Sequence, residues 1–170
     1  MPVTNTPPPA TFARTIGSTA APIEHGVEKA SSTYLKGAFL IDDDAGRMTE
    51  STSPIDAGAV ARRTVGMAAG AASGVTGRDV PFYWADSQTV FEATLSNGTA
   101  GTHTLAQANQ FQVYPITKAT NWYLDTNAVS DTGGGLVIGF KDAIGTVDAR
   151  VYFVVTNTAR GGTNAGSGTF

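Results

Sequence analysis

Glycine interrupts this chain so often that long helices are excluded before any other pattern is read. Twenty of its 170 residues are Gly. The stretch with the best helix composition, around residues 61–77, carries Gly66, Gly70, Gly74 and Gly77. Each interior Gly costs a helix about 1 kcal/mol relative to Ala, so together they offset what the neighbouring alanines favour. Thr, Val, Phe and Tyr, which suit a pleated surface, fill much of what remains, while Lys and Glu are scarce. Charged residues make up only 15% of the chain, well below the rough quarter of an ordinary soluble domain.

The apolar runs between the breaks have strand length and strand periodicity. Residues 34–41 read as a first strand, ending in the turn Asp42-Asp43-Asp44-Ala45-Gly46. Residues 61–67 form the next, with helix as its competitor. Val80, Phe82 and Trp84 alternate onto one face of a third. In residues 89–95 the alternation places Phe91, Ala93 and Leu95 inward and Glu92 and Thr94 outward. Asn97-Gly98 is a turn signal, because both residues tolerate positive φ. Residues 105–110 suit one helical turn. Strands over 122–124, 135–140 and 147–155 complete the set. Short strands at close spacing, without long helices between them, predict a mainly β fold: a small antiparallel β-barrel or β-sandwich.

The length suits one domain, for which roughly 100–200 residues is usual, with an unlike segment at each end. Residues 1–22 hold Pro2, Pro7, Pro8, Pro9 and Pro22, which fix φ and remove backbone donors. This is an extended N-terminal arm, and its three consecutive prolines favour a polyproline II segment. A pre-extended arm costs less entropy to immobilise on a partner. Pro7, Pro8 and Pro9, with the apolar Phe12 and Ile16, are therefore the residues expected to touch a partner or a sister subunit. Residues 23–158 form the β-rich body, and residues 159–170 a flexible Gly-rich tail.

Chemistry is sparse. A net charge of −3, with Lys and Arg scattered apart from Arg62-Arg63, argues against nucleic acid as a partner. The absence of Cys excludes disulfides and thiolate metal sites. The N-terminal residues lack the pattern of a signal peptide, and no apolar run approaches the ~18 residues of a membrane span. Synthesis in a cytoplasm and no membrane association are the expectations. The two histidines, His25 and His103, stand alone in sequence, and no H-E-x-x-H, G-x-S-x-G or phosphate-loop motif accompanies them. Asp42-Asp43-Asp44 departs from calcium-loop spacing and reads as a solvated turn. No catalytic residue, metal, cofactor or small-molecule substrate is expected. Among the aromatics, Trp84 and Trp122 are the candidates for an interface or for a platform under a sugar ring, although packing is the commoner use of such residues.

The order of elements in the central block is informative as a whole. Lys36-Gly37-Ala38 precedes a strand and an acidic Gly turn. Val65-Gly66-Met67-Ala68 and Ser73-Gly74-Val75-Thr76-Gly77 follow, then Ala85-Asp86 with Thr89-Val90-Phe91-Glu92-Ala93. Trp122-Tyr123-Leu124-Asp125-Thr126, Val137-Ile138-Gly139-Phe140-Lys141-Asp142 and Gly145-Thr146-Val147-Asp148-Ala149-Arg150-Val151-Tyr152-Phe153 end the series. Over residues 34–155 this arrangement resembles the capsid decoration (cement) proteins of tailed bacteriophages. The resemblance implies a structural virion protein, not an enzyme. Such a protein binds the outer capsid surface as a homotrimer, has the major capsid protein as its partner, and stabilises contacts between capsomers. It also implies synthesis in a bacterial host and residence on the virion exterior. The alternative is a carbohydrate- or receptor-binding β-module, which requires Trp84 or Trp122 to be exposed.

Overall fold

Strands dominate the computed structural model, which describes residues 9–16, 23–43, 45–51, 54–55, 64–99, 101–127 and 133–156. The first six are β1 (Thr11–Thr15), β2 (Ile23–Glu28), β3 (Phe39–Asp42), β4 (Arg47–Glu50), β5 (Thr64–Ala68) and β6 (Asp79–Trp84). The rest are β7 (Thr89–Ser96), β8 (Val113–Tyr114), β9 (Ile116–Lys118), β10 (Trp122–Asp125), β11 (Gly135–Phe140) and β12 (Arg150–Val155). The expected helical turn is a 3₁₀ turn, Gln107–Asn109. No helix among the described residues is long and apolar enough to cross a membrane.

The fold is mainly β, as composition and spacing predict, and it is built from two closed or nearly closed units. Strands β2-β4-β3-β5-β6 form a closed barrel. The later strands run in the order β8-β11-β12-β7-β10-β9. Because β8 and β9 are separated only by Pro115, the two edges of this sheet lie next to each other and it is nearly closed as well. Closure removes the open edges that would otherwise template aggregation. Most pairings are antiparallel, but β2 runs parallel to β4 and β7 parallel to β10.

Phe39 of the barrel joins the two units. Its ring meets Phe91, Trp122 and Phe153 of the second sheet at centroid distances of 5.7, 5.6 and 6.2 Å. All of these side chains are buried, in one continuous core. Ile55 and Ile116 add reciprocal backbone hydrogen bonds of 2.8 and 3.2 Å, and Lys118 and Trp122 both donate to Glu50 of β4.

Four expectations are corrected. The strand predicted over residues 34–41 begins only at Phe39, because the chain turns at Lys36-Gly37, where Ala38 N–H bonds Leu35 C=O at 3.1 Å. Gly37 has φ +87°, and a Cβ there would lie 2.6 Å from the Ala10 carbonyl oxygen, so this close approach admits only Gly. Strand β7 is buried on both faces: Glu92 and Thr94, expected outward, are 8% and 1% exposed. Asp43 is not solvated. Its carboxylate accepts hydrogen bonds from the backbone N–H groups of Ala45 and Arg47 and from Arg47 Nε, all at 2.9 Å. The Arg47 side chain and backbone, and then Ala45, hold its pKa at about 2 against the effect of burial. At the last strand, β12 starts at Arg150, since Val147 makes only an isolated bridge to Thr104 and Asp148 takes φ +47°.

Candidate contact surfaces

The arm residues that the structure describes are committed to their own body. Strand β1 pairs antiparallel with β7 over Thr89–Glu92, while β10 takes the same side of β7 further along, at Leu95 and Ser96. The arm thus fills the half of that edge which β10 leaves open. Phe12 stacks on Tyr83 at 4.6 Å, Ala10 is 1% exposed, and the Arg14 guanidinium stands 5.9 Å over the Tyr152 ring. Pro9 and Phe12 line a cleft of about 370 Å³ between the arm and the barrel. Of the arm residues expected to touch a partner, Pro7 and Pro8 lie outside the described residues. Phe12 is half-buried against Tyr83, and Ile16 is left 50% exposed. The segment 159–170 also lies outside the described residues.

A second surface went unmarked in the sequence. Phe111 is 69% exposed and has φ +63°. A left-handed backbone is costly for a bulky residue, of order 1–3 kcal/mol. Neighbouring bonds fix it there: Phe111 N–H bonds Val137 C=O at 2.8 Å, and Val137 N–H bonds Gln112 C=O at 3.0 Å. Leu136 lies directly opposite Val113 on one side and Val154 on the other. Residues opposed in antiparallel strands share a face, and Tyr152 shares that of Val154. This face is turned away from the core, because Val137, Val151 and Phe153 of the alternate set are fully buried, but it is only partly open: Val113, Leu136 and Tyr152 are half-buried and Val154 is 9% exposed. Phe111 therefore stands beside an apolar outer strip on β8, β11 and β12. Only its backbone conformation marks it, and that is invisible in a sequence.

The tryptophans separate. Trp122 is 3% exposed and donates Nε1–H to Glu50 at 3.2 Å, so it is core and offers no platform. Trp84 is 44% exposed, although Val80 and Phe82 of the same row are each 3% exposed. It stands where β6 ends, at the rim of the barrel.

Among the described residues, the titratable groups make no recognisable catalytic set. His25 Nδ1 pairs with Asp79 on the surface. His103 Nδ1 meets Thr126 Oγ1 at 3.3 Å, and its Nε2 is buried without a hydrogen-bond partner among the described residues. Buried Glu28 accepts from Ser73 N–H, Ser73 Oγ and Gly74 N–H at 3.0, 2.7 and 2.6 Å. Burial pushes its carboxyl pKa up, but these bonds, with the charge of Arg78, outweigh that and hold it below the ordinary value. Buried Glu92 pairs with Lys141 and Arg150, each at 2.7 Å. Both glutamates are fully engaged by structural partners. Among the described residues, no three or more His, Asp or Glu side chains are grouped to hold a metal ion.

Compared with known proteins, the chain matches no family model, no curated protein and no solved structure.

Proposed function

We propose that this chain is a structural virion protein that binds the outside of a tailed-phage capsid and braces neighbouring capsomers, working as a homotrimer against the major capsid protein. The observation that carries the reading is Phe111, an aromatic side chain exposed at the expense of a strained backbone beside an apolar strip. In the isolated chain that arrangement secures two backbone hydrogen bonds but leaves the aromatic ring in water on a left-handed backbone. A protein partner that covers it recovers the apolar burial, and such exposed anchors dominate interface energies. The low content of charged residues suits packing against protein. Repetition on a lattice adds avidity, by roughly 10²–10⁴ for paired attachment. The order of strand motifs that resembles decoration proteins supplies the identity of the partner.

The test is co-sedimentation with expanded and unexpanded shells of the phage that encodes the chain. Saturable binding to expanded shells, and a higher temperature of shell disruption, are expected. Phe111→Ala should weaken binding by about tenfold or more while leaving the free protein equally or more stable. A chain that never sediments with shells, or binding indifferent to Phe111, would sink the proposal. A gene position beside the major capsid gene would add support.

A further inference from the structure

The seat of the arm is the same on every copy of this chain, and the way the chain reaches it points beyond a single copy. Strand β1 completes the edge of β7, Ala10 is buried, and Phe12 stacks on Tyr83. Ile23, where β2 begins, is the direct register partner of that same Tyr83. The chain therefore leaves Tyr83 along β1 and must come back to it through residues 17–22, Gly-Ser-Thr-Ala-Ala-Pro. Gly17 and Ser18 suit a turn, but Ala20-Ala21-Pro22 does not. Pro22 fixes its own φ and holds Ala21 before it to an extended backbone. Ile16 and Ile23, one at each end of this linker, are 50% and 47% exposed, so the return leaves apolar surface in water at both ends.

We infer that the arm is exchanged between copies: β1 of one protomer pairs with β7 and stacks on Tyr83 of the next, and the exchange closes into a ring. The inference rests on the homotrimer proposed above and names the element that makes it. Exchange keeps every contact of the arm, so the difference between the two arrangements lies in the linker and in the new surface between copies. Run out straight, the seven steps from Ile16 to Ile23 span up to about 25 Å, enough to cross the boundary between adjoining protomers. The reversal is then unnecessary, and the two isoleucines meet a neighbour instead of water. A short linker gives the self-paired arm an effective concentration of order millimolar. Exchange therefore prevails where copies are already held side by side, as in a trimer. An arm that merely detached would uncover the half of the β7 edge that β10 leaves open, whereas exchange keeps that edge filled.

The chain has no Cys, so an engineered pair reports whose arm fills the seat. Ile16 N–H donates to Gln88 C=O at 2.8 Å, which makes Thr15 and Thr89, the adjacent register partners, a non-hydrogen-bonded pair. Cα atoms in such a pair stand about 4.5 Å apart, within the reach of a disulfide. The Thr15→Cys/Thr89→Cys chain is oxidised, both free and bound to shells, then denatured and run on a non-reducing gel. Bands of three linked chains that collapse to one on reduction are expected. Single-chain bands in both samples would overturn the exchange. A second variant leaves the seat untouched: about six Gly/Ser residues inserted after Gly17 ease the return. They should weaken the trimer by about tenfold or more, read by light scattering over a dilution series. A trimer indifferent to the insertion also overturns the exchange. Saturable shell binding with single-chain bands removes the exchange and leaves the proposed function standing, while linked bands without shell binding do the reverse.

Discussion

The barrel and the second sheet each bury one glutamate, and they satisfy it in opposite ways. In the barrel, Glu28 is held by a hydroxyl and two backbone N–H groups of the Ser73-Gly74 turn. In the sheet, Glu92 is held by two cationic side chains, Lys141 and Arg150. The first is a local clamp that pins a loop against the end of β2. The second is an ion-pair cluster that lets β7 run buried on both faces. The contrast teaches that similar closed β units can fix a buried charge either with neutral dipoles, which salt does not screen, or with mobile cations, which it does.

Phe39 sets how far the two units can behave separately, and replacing it has the largest expected effect. Phe39→Ala removes a fully buried ring that contacts aromatics of the other unit, and should destabilise by about 3–5 kcal/mol. Urea unfolding followed by far- and near-ultraviolet dichroism should show one shared transition in the parent chain. Two separate transitions there would mean that the core does not couple barrel to sheet.

The glutamates come next. Glu92→Gln leaves Arg150, whose side chain is 14% exposed, without its charge partner, and should cost about 2–3 kcal/mol. Glu28→Gln keeps the shape but can accept fewer of the three donors, at about 1–2 kcal/mol. Repeating both measurements at high salt sharpens the comparison. The Glu92 effect should shrink and the Glu28 effect should persist. Equal salt dependence would erase the distinction.

Much of the architecture was legible in the chain, because alternation and turn residues are local signals. The strands at residues 80–84, 122–124 and 135–140 fall within a residue or so of where those signals put them. What was hidden depends on who packs against whom. The alternation of β7 alone puts Glu92 outward, since nothing near it in sequence announces that Lys141 and Arg150, far along the chain, converge on it. Residues 34–38 have strand composition, yet Tyr34 is core and Gly37 turns the chain past Ala10. Trp84 and Trp122 look equivalent as letters, and only the register at the barrel rim separates the exposed ring from the buried one. Phe111 carried no sequence signal at all.

Asp43 offers a smaller, pH-dependent effect in the barrel. Its folded pKa of about 2 lies below the ordinary 3.8, so its contribution is complete above the ordinary value. It is lost as pH falls through the folded value. Asp43→Asn should therefore be less stable than the parent near neutrality and should converge with it towards pH 2. Thermal melts across that range check the sign. A constant difference would show that the turn depends on shape and not on charge.

The smallest effect should come from Tyr34. Its hydroxyl is buried without a hydrogen-bond partner among the described residues, and burial followed by the charge of Glu28 pushes its pKa up to about 12. A buried donor left unsatisfied is a cost to the fold, so Tyr34→Phe removes that cost while keeping the ring. It should be neutral or stabilising by up to about 1 kcal/mol, in contrast to the loss expected at Glu28. Because the raised pKa makes the neutral phenol the form the barrel tolerates, the parent should also lose stability as pH climbs above the ordinary value of 10.0, and the variant should lose less. Paired melts at neutral and alkaline pH decide the matter. A destabilised Tyr34→Phe would reveal a hydrogen bond to the hydroxyl and would place a second polar anchor in the barrel beside Glu28.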